Sequence, residues 1–139
     1  MNTNELKRTI EAAIESLFKH QPNIFDFTPE TGQTEWNLAH HLANELHVFF
    51  RSLDHDLDVT KKDYGYRRPD IIFHKRGTHE ANHLVVELKK DGSHQEIEAA
   101  IDKIHTYWFQ EPLRYDFGAV VNLQSDQTFQ VQVFENPNP

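Results

Sequence analysis

The sequence predicts an α/β domain: a three-layer sandwich with helices on both faces of a central mixed β-sheet. Two patterns point to it. In three segments apolar residues recur at three- and four-residue spacing, as in amphipathic helices. In five shorter segments β-branched and aromatic residues cluster or alternate, as in strands. A chain of 139 residues has room for one core. A single domain is therefore expected over 1–139, with an N-terminal helix and loop in 1–33 and the core in 34–135.

The elements follow in order. Leu6, Ile10, Ala13, Ile14 and Leu17 share one face, which predicts a helix over 3–20 that closes at Pro22. Pro22, Pro29 and Gly32 make 22–33 a loop. Thr34 is a suitable N-cap for a second helix that should run to about Asp54. Its inner stripe is expected at 35, 39, 42, 46, 49 and 53. Strands are expected at 57–64, 68–75 and 83–89, the last two forming a hairpin around RGTHEAN. Asp91-Gly92 breaks the run. A third helix is expected over 94–109, with Ile97, Ile101, Ile104 and Trp108 on one stripe. Two further strands, 115–122 and 127–135, complete the order α-α-β-β-β-α-β-β.

Composition narrows the functional classes. Ten Phe, two Trp and four Tyr supply core material, so the chain is not of the disordered type. It has no Cys, which excludes disulfides, thiol catalysis, Cys-zinc sites and iron–sulfur ligation. No apolar run is long enough to span a bilayer, and no membrane partner is expected. The first twenty residues are amphipathic rather than signal-like, so the expected location is cytoplasmic. The net charge is −8, but it is uneven. Residues 61–90 hold eight basic and four acidic residues, while the remainder carries −12. A local basic patch on an acidic body can focus a polyanion onto one face, although the same residues can simply keep strand edges soluble.

The chemistry-bearing residues lie on the central hairpin. Asp70 begins one strand. Glu87 lies in the most apolar strand, inside Leu84-Val85-Val86-Glu87-Leu88, and Lys89 follows two residues later on the same face. Carboxylates and ammonium groups are rarely placed in such a strand unless paired or metal-bound. Two convergent carboxylates repel, and a hard divalent cation relieves the repulsion. A cross-strand ion-pair set with no metal is the competing reading.

Pro69-Asp70 followed by Glu87-Leu88-Lys89 resembles the PD-(D/E)xK motif of the restriction-endonuclease-like nuclease superfamily. The stretches RRPDIIFHKRG (67–77) and NHLVVELKK (82–90), with Thr34-Glu35 and HHLA (40–43) upstream, resemble an uncharacterised bacterial subgroup of it. The similarity covers about residues 34–122, and the predicted order matches that superfamily's αβββαβ core. The resemblance implies Mg²⁺- or Mn²⁺-dependent hydrolysis of nucleic-acid phosphodiester bonds. By position, Asp70, Glu87 and the backbone carbonyl of Leu88 would hold the metal. Lys89 would position or activate water, and Glu35 would meet the metal through water or bind a second ion. Glu45 is the rival for that helix role. Glu35 also has a plainer use, as a first-turn acid favoured by the helix dipole.

Further residues carry weaker expectations. Arg67, Arg68, His74, Lys75, Arg76 and Lys90 are candidate nucleic-acid contacts, with solvated strand ends as the alternative. His41 and Glu45 lie four apart on a helix but lack a third zinc ligand. Asp102-Lys103 reads as a solvated helix face. The expected partner is nucleic acid, DNA ahead of RNA. A homodimer or larger complex would supply the basic surface that the acidic body lacks. A non-catalytic module of the same fold, binding a protein or nucleic acid, is the alternative function.

Overall fold

Leu6, Ile10, Ala13, Ile14 and Leu17 are all buried on one side of helix α1 (Thr3–His20) in the computed structural model of the chain. The structure describes residues 1–26, 34–57, 69–78 and 80–138. Asn2 caps α1, its side-chain oxygen accepting the Glu5 N–H at 2.9 Å. Helix α2 (Thr34–His47) buries Leu38, Ala39, Leu42, Ala43 and Leu46. It stops short of the expected end. Over 49–53 the chain turns through successive three-residue steps, Phe49 N–H to Leu46 O, Phe50 N–H to His47 O and Leu53 N–H to Phe50 O. Glu35 is exposed at the start of α2, Val48 and Phe49 are left half-exposed and Phe50 turns inward, so neither Glu35 nor Phe49 belongs to the inner stripe. Branched and aromatic residues at 48–50 favour helix weakly, and the chain is needed as strand by Asp54.

Strands β1 (Asp54–Leu57), β2 (Ile71–His74), β3 (Leu84–Lys90), β4 (Phe117–Leu123) and β5 (Phe129–Glu135) form one sheet in sequence order. The pairing is antiparallel except between β3 and β4, which run parallel. The sheet is therefore mixed, as expected. Strand β1 starts three residues before the expected first strand, and 58–68 lie outside the described residues. The β3–β4 crossover is made by α3 (His94–Lys103) and a π-helical turn over Ile104–Trp108. A capping box at Ser93 and Glu96 starts α3. The π turn is closed by Phe109 N–H bonding to Ile104 O at 2.9 Å; the sequence reads as one uninterrupted helix there.

Alternation along the strands divides the core in two. Ile71, Phe73, Leu84, Val86, Leu88, Ala119 and Val121 pack with α1 and α2. Ile72, Val85 and Val120 pack on the other face with Ile97, Ala100, Ile104 and Trp108. Helices thus cover both faces of the sheet, and no described helix is long and apolar enough to cross a membrane.

The α3 layer sits close to the sheet because β4 carries a glycine. A Cβ built on Gly118 would lie 2.5 Å from Ile104 Cγ2. Gly118→Ala should therefore destabilise the protein by about 1–3 kcal/mol through overpacking. Chemical denaturation would measure the loss, and an unchanged midpoint would mean that the π turn yields freely.

Candidate functional site

The β2–β3 register pairs Ile71 with Val86 and Ile72 with Val85. One step further it sets Asp70 opposite Glu87. Both acids fall on the face that packs against α3, the face of Ile72 and Val85. The Leu88 N–H donates to Asp70 Oδ2 at 2.7 Å, which fastens the acid at the mouth of β2 to the neighbouring strand. Glu87 is 3% exposed. Its Oε1 accepts the Trp108 indole N–H at 2.8 Å and lies 3.4 Å from Lys103 Nζ.

This setting shifts both carboxyls the same way. Burial, and then the charge of Asp70, push Glu87 up to about 7, against the pull of Lys103 and Trp108. Burial also raises Asp70, although the Leu88 N–H, Lys103, Lys89 and a hydrogen bond with Glu87 oppose it. The two raised carboxyls lie close enough to influence each other's protonation.

Glu87, Lys89, Glu96, Ala99, Ala100 and Lys103 line a cleft of about 180 Å³. Lys89 projects on the same sheet face as Glu87, as strand parity requires, and its charge bears on Asp70, Glu35 and Glu96. Glu35, on the first turn of α2, reaches the same end of β3 from the opposite layer. Burial raises its carboxyl most, Asp70 and Glu96 raise it further, and Lys89 and the Lys90 N–H draw it down. The structure thus brings Glu35, Asp70, Glu87 and Lys89 to one end of the sheet. Glu45 goes elsewhere: its Oε1 is 2.7 Å from His20 Nδ1 and ties α2 to α1.

The basic candidates divide. His74 stands at the end of β2 away from Asp70, with its Nε2 2.6 Å from Asp56 Oδ2. Arg76 grips the same carboxylate through Nε at 2.9 Å and a terminal nitrogen at 2.8 Å. His74 therefore does not join the cluster, and strand parity alone misleads because it ignores position along the strand. Lys75 is exposed beside this group. Lys90 Nζ lies 3.2 Å from Asp91. Arg67 and Arg68 lie outside the described residues.

Three members of the site are not among the residues singled out for chemistry from sequence. Trp108 reads as core and Lys103 as a solvated face, while Glu96 draws no expectation. The π turn is the reason for the first two: Lys103 and Trp108 are five apart, a spacing that an α-helix does not bring to one point. The small pair Ala99-Ala100 is the one available signal, since it leaves room for a long side chain to lie along the helix.

Among the described residues, no group of three or more His, Asp or Glu side chains is arranged to hold a metal ion. The donor chemistry still fits a hard divalent cation. Asp70 and Glu87 offer oxygen donors only, and the charge of Asp70 beside the buried Glu87 favours positive charge there. Water and backbone oxygens would have to complete the shell. Comparison of the chain with protein-family models, with curated proteins and with solved structures finds no match.

Proposed function

We propose that the protein is a metal-dependent nuclease of the PD-(D/E)xK type, hydrolysing nucleic-acid phosphodiester bonds. The observation that carries this reading is the register-opposed pair of a half-buried Asp70 and a buried Glu87 on one sheet face, with Lys89 on that same face. Asp70, Glu87 and the Leu88 carbonyl would hold Mg²⁺ or Mn²⁺. Bound there, the ion would polarise a phosphoryl oxygen and acidify water. This chain's own residues do the rest. Trp108 and the Leu88 N–H fix the orientation of the two carboxylates. Lys89 holds positive charge at the cleft wall, where it can orient a nucleophile or meet developing phosphoryl charge. Glu35 adds a further negative charge at the same end of the sheet.

One observation favours the non-catalytic module as a second reading. His74 and Arg76 are both committed to Asp56, so the described basic surface next to the cleft is thin on a body of net charge −8. A partner subunit supplying basic residues would reconcile the nuclease reading with that charge.

Calorimetric titration with Mn²⁺ tests the metal site directly. The wild type is expected to bind in the micromolar to millimolar range, and Asp70→Asn to lose binding while remaining folded. Absence of binding in the wild type, or equal binding in Asp70→Asn, would remove the basis of the proposal.

A further inference from the structure

Lys103 Nζ lies 3.4 Å from Glu87 Oε1 and 5.7 Å from the centre of the Trp108 ring. The same Glu87 oxygen takes the Trp108 indole N–H. The ammonium is therefore clamped between a buried carboxylate and an aromatic face, two surfaces that both favour a cation. Its side chain remains 30% exposed, so its four-carbon stem opens onto solvent through the cleft. Glu96, on the same helix, lines that cleft as well, within reach of the Lys89 charge.

The charge balance decides what this arrangement does. Asp70 and Glu87, both ionised, carry −2. A divalent cation neutralises them completely. A divalent cation seated on the Glu87 carboxylate would meet the Lys103 ammonium, 3.4 Å from the same oxygen, as a like charge at close range, which is costly. Metal and ammonium therefore compete for the same negative potential.

We infer that Lys103 is an internal counter-cation: it holds Glu87 in place before metal arrives, and the metal ion must displace it. This makes Lys103 a positioning residue that sets the threshold of metal occupancy, distinct from Lys89. The inference rests on the metal site proposed above.

The test is Mg²⁺ calorimetry at pH 8.5, where proton competition is small, on the wild type, Lys103→Met, Lys103→Gln and Lys103→Arg. All four carry Trp36→Phe, so that Trp108 is the one tryptophan left of the two in the sequence and its emission can be followed in the same samples. Lys103→Met and Lys103→Gln are expected to bind Mg²⁺ about tenfold tighter or more, since a full positive charge has left the immediate neighbourhood. Lys103→Arg should stay within about threefold of the wild type for the same reason. Saturating Mg²⁺ should change Trp108 emission strongly in the Lys103 protein, as the cation leaves its ring, and much less in Lys103→Met. Should Lys103→Met fail to fold, Lys103→Gln and the emission change of the Lys103 protein carry the test. Unchanged or weaker binding in the neutral variants, with normal binding in the Lys103 protein, would overturn this inference alone. An equal emission change in all variants would also overturn it. No Mg²⁺ binding in any of them would take down the proposed metal site and this inference together.

Discussion

Lys89→Met is expected to fold and to bind Mg²⁺ like the wild type, yet to cleave nucleic acid about 100-fold more slowly or worse, the usual scale for losing one preorganised charge-stabilising group. The expectation follows from where Lys89 stands. It lies two residues from Glu87 on the same strand face and forms part of the cleft wall, with its charge directed at Asp70 and Glu35. It is only partly buried, and Met keeps the apolar stem that packs there. Folding should therefore survive, and a pure packing role predicts no change in rate. The assay should offer single-stranded and duplex DNA, branched DNA and RNA with Mn²⁺, at low salt because the acidic body weakens encounter with a polyanion. A folded, metal-binding wild type that cuts none of these would favour the binding module. Equal cutting by wild type and Lys89→Met would place the activity at another site or in a contaminant.

Much of this arrangement is legible in the amino-acid sequence. The apolar stripe of α1 and the Val- and Leu-rich run of β3 each allow one element type, and both occur within about a residue of expectation. The pairing of Asp70 with Glu87 is legible for a related reason: an acid inside an apolar strand has few uses, and a hairpin has a fixed register. The parts that are not legible depend on long-range contacts. The end of α2 is set by where β1 must begin pairing with β2, and nothing in Val48-Phe49-Phe50 alone marks it. The first strand begins at Asp54 because Asp56 receives His74 and Arg76, a partnership between residues about 20 apart. That same partnership removes His74 from the site, where parity along β2 alone would place it.

The π turn is the most consequential hidden feature. Periodicity from Ile97 to Trp108 fits a plain helix, so Trp108 and Lys103 cannot be told from core and surface. The wider turn brings both to Glu87, and with them the hydrogen bond and the ion pair that hold a carboxylate in an apolar layer. Glu87, Lys103 and Trp108 thus form one unit: removing any member leaves a buried polar group poorly matched.

The stability of the metal-free protein is expected to report on this unit through pH. Glu87 titrates near 7 in the folded chain against 4.5 as an ordinary glutamate, chiefly through burial and then through Asp70. Between those values the folded state holds a proton that the unfolded state has released. Stability from this group is therefore fully present below about pH 4.5 and is lost as pH rises through 7. Its size is about 3 kcal/mol, from the linkage between a pKa difference and free energy. Asp70, also raised, acts in the same direction. His41 and His55, both lowered chiefly by burial, act in the opposite direction below about pH 6.5 and would mask the effect in the wild type alone. The quantity to follow is therefore the difference in unfolding free energy between wild type and Glu87→Gln, measured by urea denaturation from pH 4.5 to 8. Gln retains an acceptor for the Trp108 N–H and has no charge to bury, while the histidine contributions cancel. Glu87→Gln should overtake the wild type by about 3 kcal/mol across this range in the presence of chelator. Millimolar Mg²⁺ should recover most of the wild-type deficit at pH 8 and leave Glu87→Gln nearly unmoved, because a cation held at Glu87 takes over the role of the proton. A difference that stays flat with pH would mean that Glu87 is ionised throughout and matched by Lys103 alone. A pH-dependent difference that Mg²⁺ leaves untouched would identify a proton-sharing carboxyl pair with no affinity for metal.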